Sequence, residues 1–176
     1  MIRLSLPLLL LMLSACSDPP PYAPRAMEIF PSMTIRHAAL FRMDELGITQ
    51  DFFSGDWTAV MFATTDCGPD CQHRLELLDS FESGRSLLVF TDVAGHEQMR
   101  TLKQRYPSVE ISMGATAASL DLFVEQFNDS AIPLAQRAAY IYLVNPDSEL
   151  THAVASVDIE PGDLDREIRA LGEADG

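Results

Sequence analysis

Cys67 and Cys71, written Cys-Gly-Pro-Asp-Cys directly after the apolar run Trp57-Thr-Ala-Val-Met-Phe-Ala63, are the residues of this chain best placed to do chemistry. Four positions apart at the start of a helix, they project from one face with Cβ atoms about 5–6 Å apart, so little adjustment brings the sulfurs together. Two thiols so placed can close a disulfide or share a soft metal ion. They can also reduce a partner's disulfide through a mixed-disulfide intermediate. In that case Cys67, at the helix start ahead of Pro69, is the expected attacking thiol, and Cys71, one turn further in, the resolving one. A permanent bridge stapling strand to helix is the competing account. A loop this short removes little chain entropy, which makes stapling the less attractive role.

The third cysteine has a different setting. Arg3 supplies a positive start, Leu6 to Leu13 an apolar core too short for an ordinary membrane span, and Leu13-Ser-Ala-Cys16 a small-residue cleavage site. The run resembles a bacterial lipoprotein signal, in which Cys16 becomes the lipidated first residue. The expected location is therefore the bacterial cell envelope, as a periplasm-facing lipoprotein held to a membrane by its lipid anchor, with inner and outer membrane both open. Disulfides persist on that side. Removing residues 1–15, which carry only Arg3, shifts the formal charge from -14 to -15. So acidic a chain is a poor ligand for nucleic acid or for anionic lipid.

Composition and spacing divide the chain into a signal peptide at 1–15, a tether at 16–34 and a domain at 35–176. The tether is inferred from Pro19, Pro20, Pro21, Pro24 and Pro31 among few large apolar residues. Beyond it, strands are expected at 38–43, 57–64 and 86–91, with turn-prone stretches at 44–47 and 54–56. Helices are expected after Pro69, where Leu75, Leu78 and Phe81 recur at helical spacing, and at 96–106, 117–127 and 161–171. Residues 140–144 and 150–156 read as a hairpin around Asn145-Pro-Asp-Ser148. Strands interleaved with helices and a late hairpin imply an α/β sandwich.

A cysteine pair at a strand-to-helix junction, in a chain of this order, resembles a thioredoxin-like three-layer α/β sandwich with an N-terminal strand pair. Within that fold the chain is similar to the Sco/SenC family. The resemblance is carried by Phe41-Arg-Met-Asp-Glu-Leu-Gly47, Gly55-Asp-Trp-Thr-Ala-Val-Met-Phe62, Thr64-Thr-Asp-Cys-Gly-Pro-Asp-Cys71 and Tyr142-Leu-Val-Asn-Pro-Asp147. The three-residue gap between the cysteines favours this family over ordinary thioredoxins, which use two.

The resemblance implies a copper metallochaperone assisting assembly of a respiratory oxidase copper centre. Its partner would be the oxidase copper-site subunit or another copper or thiol protein. Cys67 and Cys71 would bind Cu(I), with a histidine as third donor just before the Tyr-Leu-x-x-Pro-Asp strand. Arg137 occupies the matching position, and no histidine lies between His96 and His152. Arginine stays protonated and cannot ligate a metal. Near the sulfurs its charge would favour thiolate, as would a helix N-terminus, whereas Asp66 and Asp70 would oppose it. The alternative is therefore a thiol-disulfide reductase or redox sensor that no longer binds copper. Turnover of a disulfide substrate would mark an enzyme, stoichiometric copper transfer a chaperone.

Among spare donors His96 is the best placed, following Gly95 after the strand that ends near Asp92. His73 should point away from Cys71, and His37 and His152 are expected on exposed strand or loop positions. Met61 and Met99 are expected in the core. Pro133 is the nearest proline to the hairpin. Phe52, Phe53 and Trp57 are candidates to surround the site. The carboxylates of 75–79 and 158–167 read as solvated helix faces and caps. No phosphate-cradling glycine loop, zinc helix or nucleophile elbow is present.

Overall fold

The computed structural model describes residues 22–36, 38–42, 47–66, 68–92, 95–128 and 132–174. The signal segment with Cys16, His37 and Cys67 all lie outside the described residues. One sheet of eight strands organises the chain, in the order β1-β8-β7-β4-β5-β6-β2-β3. In chain order these are β1 (Met27–Thr34), β2 (Leu40–Arg42), β3 (Gly47–Ile48), β4 (Trp57–Ala63), β5 (Gly84–Phe90), β6 (Val109–Gly114), β7 (Tyr140–Val144) and β8 (Glu149–Ala155). The helices are α1 (Pro69–Asp79), α2 (His96–Arg105), α3 (Ala117–Glu125) and α4 (Asp163–Ala174). None is long and apolar enough to cross a membrane.

Strands β4, β5 and β6 run parallel, while β7 and β8 are antiparallel additions beside β4. From Thr58 to Ala63 every residue of β4 is buried, as a central strand covered on both faces requires. Its alternation sorts the core into two layers. Ala59, Met61 and Ala63 pack with Leu75 and Leu78 of α1, Met99 of α2, and Leu164 and Ile168 of α4. Val60 and Phe62 pack on the opposite face with Phe53, Phe123, Phe127 and Tyr142. There Phe62 meets the Phe127 ring edge-on, centroids 5.0 Å apart. Helices, sheet and α3 form the three layers of a thioredoxin-like sandwich.

The expected N-terminal strand pair takes the form of β2 with β3, and β2 also lies against β6. Strand β6 is absent from the elements expected of the sequence. Its short run alternates apolar Val109, Ile111 and Met113 with Glu110 and Ser112, and the buried Ser112 hydroxyl is satisfied by donating to the Leu88 carbonyl at 3.1 Å.

A larger correction concerns the tether. Met27–Thr34, assigned to it by composition, is an edge strand paired with β8, and Ile29 is buried. Proline is tolerated there because an edge strand leaves half of its backbone groups unpaired, and the register is irregular between Glu28 and Met33.

Just upstream, the chain is clamped to α4. The fully buried carboxylate of Glu167 accepts from Tyr22 Oη at 2.5 Å, Arg25 N at 2.9 Å and Ala26 N at 3.0 Å. Burial, followed by this bond to Glu167, raises the ionisation of the Tyr22 phenol above the ordinary tyrosine range. Asp163 is also buried, capping α4 by accepting from Glu160 N at 3.0 Å and pairing with Arg25 and Arg166. Asp163 thus serves as one of the expected caps, though buried, whereas Glu167 is not a solvated carboxylate. The partners of Glu167 come from a segment too distant in sequence to be anticipated.

Glu167→Ala strands two backbone N–H groups and removes a charged acceptor, so it should lower unfolding free energy by about 2–4 kcal/mol. Urea melts of wild type, Glu167→Ala and Glu167→Gln will measure this, with Gln recovering part of the loss.

Candidate functional site

The carboxyl end of β4 feeds the loop that carries the cysteines. The end of β5 is tied beside it, Thr91 N donating to Ala63 O at 2.9 Å. Asp92 then grips the loop, accepting from Thr65 N at 2.8 Å and Thr65 Oγ1 at 2.6 Å. From the other side, Gln98 Nε2 of α2 donates to Thr65 O at 2.7 Å. The entry to the loop is thus held by β5 and α2 together.

Helix α1 starts where Pro69 predicts, with Gly68 as its N-cap and Pro69 in the first turn. Cys71 N donates to Gly68 O at 3.0 Å. The Cys71 side chain is buried in the core cluster that also holds Met61 and Met99, and its sulfur is disulfide-bonded. Its bonding partner lies outside the described residues.

Arg137 arrives from another direction. Pro133 precedes a 3₁₀ turn, Leu134–Ala139, that leads into β7. Because β7 runs antiparallel to β4, with Ile141 opposite Met61, the residues before Tyr140 lie beside the carboxyl end of β4. Arg137 is buried, and its Nη2 donates to the Asn128 side-chain oxygen.

A second buried arginine, which sequence reasoning missed, stands on α1. Arg74 Nε donates to the Asp70 carbonyl at 3.2 Å. Burial lowers its pKa from the usual arginine range, and the Asp70 charge partly restores it. The signal was available: Arg74 is three residues after Cys71 and four before Leu78, within the inward stripe of an otherwise apolar helix face. Arg74 and Arg137 line one cavity of about 390 Å³ with Phe62, Ala63, Thr64, Thr91, Val124 and Ala138.

The other candidates are dispersed. His96 opens α2 and is exposed. His73 Nε2 lies 3.3 Å from the Ser156 carbonyl. His152 is half-buried on β8, so neither of these two is an exposed loop residue. Trp57 begins β4, about 20 Å of strand away from the cysteine loop. Phe52 and Phe53 meet edge to face, and Phe53 belongs to the core on the α3 face, so the three aromatics do not surround the cysteine loop. Among the described residues no three His, Cys, Asp or Glu side chains gather into a metal-sized group.

A disulfide-bonded cysteine in the first turn of the helix after a central strand, on a three-layer sheet, is the arrangement of a thioredoxin-like thiol protein. No family model and no curated protein matches the chain. Solved structures do. Copper-bound yeast Sco1 superposes with a TM-score of 0.62 and 12% identity, covering 86% of this chain and 94% of its own. BsSco, a member of the Sco family of cytochrome c oxidase assembly proteins in which a disulfide switch was identified, gives 0.59 and 15%, covering 77% and 91%. A SCO1/SenC family lipoprotein from Bacillus anthracis gives 0.57 and 10%, covering 89% and 98%. The chain therefore shares its thioredoxin-like fold with Sco-family structures.

Removing the Asp92 grip should loosen the loop without disturbing the core, because its bonds are exposed and local. Asp92→Ala is expected to speed reduction of the Cys71 disulfide by dithiothreitol about tenfold, as loss of a charge-assisted bond would allow. Stopped-flow thiol assays, with far-UV circular dichroism held unchanged, will check it.

Proposed function

We propose that this chain is a Sco/SenC-type envelope lipoprotein, lipidated at Cys16, that handles copper or disulfides for assembly of a respiratory oxidase copper centre. Cys67 is its working partner to Cys71. The observation that carries the reading is the disulfide-bonded Cys71 at the start of α1, on a fold shared with copper-bound yeast Sco1.

In the reduced state two thiolates four positions apart in sequence suit Cu(I), which prefers soft sulfur donors. Copper is then cargo, taken up and handed on. The donor set fits only in part: Arg137 occupies the position where the resemblance puts a histidine, and it offers no lone pair. His96, exposed at the start of α2, is the spare donor with which to begin the search for a third ligand.

The buried arginines favour a second reading, in which the pair works as a reductant. One thiolate attacks a client disulfide and releases the first client thiolate. The other then resolves the mixed disulfide, leaving the client dithiol reduced and Cys67–Cys71 oxidised. Arg74 and Arg137 place fixed positive charge around the carboxyl end of β4 and the Cys71 face of α1, which supports anionic sulfur chemistry.

Anaerobic Cu(I) competition on the reduced protein separates the readings. Copper delivery predicts one-to-one binding that Cys71→Ser weakens at least a hundredfold. Weak binding by wild type, with tight binding restored in Arg137→His, would assign the chain to redox work alone. A scaffold would keep full oxidase assembly in cells after both cysteines are replaced by serine.

A further inference from the structure

Among the described residues, the cavity beyond the end of β4 has two guanidinium groups in its wall and no carboxylate. Thr64, Thr91 and Ala138 are exposed at its rim, while Phe62, Ala63, Arg74 and Arg137 are buried beneath them. Arg74 is 7% exposed and Arg137 6%. Their hydrogen bonds go to neutral oxygens, the Asp70 carbonyl and the Asn128 amide. Arg74 Nη1 and Arg137 Nε have no hydrogen-bond partner among the described residues. Asp70, exposed on the same helix, acts on Arg74 through its field and makes no ion pair with it.

Burying a charge without a counter-ion is costly, and native buried charges are normally paired. This chain carries 26 Asp and Glu residues against 12 Lys and Arg, yet none of the described acids lines this cavity. An anion entering the cavity from solvent would supply the negative charge that the described lining lacks. A guanidinium presents a planar fork of donors that matches the oxygens of a carboxylate or a phosphate in bidentate fashion. About 390 Å³ is more than a carboxylate alone fills, and Phe62, Ala63, Val124 and Ala138 give the remaining wall an apolar character.

We propose that this cavity binds a small organic carboxylate, with its head held by Arg74 and Arg137 and a short hydrocarbon stem against Phe62 and Val124. The site goes beyond the dithiol reading and depends only on the two arginines. The carboxylate is either a free acid or the acidic group of a polypeptide.

The test is a titration of the oxidised protein with butyrate, acetate and inorganic phosphate at ionic strength matched with chloride, followed by amide chemical shifts and thermal melting. Butyrate should bind saturably, shift the amides of Thr64, Thr91 and Val124, and raise Tm as a ligand of the native state does. Acetate and phosphate should bind at least fivefold more weakly. Arg74→Gln and Arg137→Gln should each weaken butyrate at least tenfold, with Arg137→Lys recovering part. No saturable butyrate response in wild type, or equal responses in wild type and both Gln variants, would overturn the site. Phosphate binding as tightly as butyrate would overturn the apolar stem. Should a Gln variant fail to fold, the wild-type comparison of butyrate with chloride still decides. A short acidic peptide binding more tightly than butyrate supports the site with a polypeptide source, and the reverse supports it with a free acid.

Discussion

From Thr58 to Ala63, β4 is buried on both faces, and a strand so enclosed takes its register from its neighbours, because a slip of one residue would exchange its two core layers. Pairing in parallel with β5 puts the ends of β4 and β5 at one edge of the sheet. Antiparallel pairing with β7 brings the beginning of β7 to that same edge. Three chain segments distant in sequence thereby supply Thr64, Thr91 and Arg137 to one place, and α1 adds Cys71 and Arg74 as it leaves β4. The carboxyl ends of parallel strands are where open α/β sheets concentrate their ligands, for the same geometric reason.

The electrostatics of that edge run against the rest of the molecule. The chain is strongly acidic, yet the charged side chains buried at this edge are both arginines. Buried carboxylates occur elsewhere, at Asp163 and Glu167, where each is met by backbone N–H groups or by arginine. The two ends of the fold thus handle burial differently. One pairs its charges internally, and the other sets two arginines in the wall of a cavity.

Much of the fold was legible because its central strands are continuous apolar runs and its helices begin at recognisable breakers. β4, β5, β7 and β8 follow from such runs, and α1 from Pro69. Strand β1 was hidden by composition. Five prolines in 16–34 read as linker, and nothing local shows that β8 will present an edge able to accept such a strand. Cys67, Cys71 and Arg137 stand out in the sequence as candidates, since their types and spacing are themselves the signal. Arg74 was passed over because charge on a helix is ordinarily solvated, and only its phase relative to Cys71 and Leu78 marks it as inward. The buried state of Glu167 depends on partners more than 140 residues away, a distance over which periodicity carries no information.

The clamp on Glu167 also sets a length. Were residues 16–34 a free tether, an anchored domain could range about 65 Å from a lipidated Cys16, at full extension of some 3.4 Å per residue. With Tyr22, Arg25 and Ala26 fastened to α4, the lipidation proposed at Cys16 would leave only residues 16–21 between anchor and fold, a span of about 20 Å at full extension. A domain so held would sweep a thin layer next to the bilayer. Clients would have to present their metal or disulfide site close to the membrane surface, a selection by altitude that involves no contact at the cysteines at all.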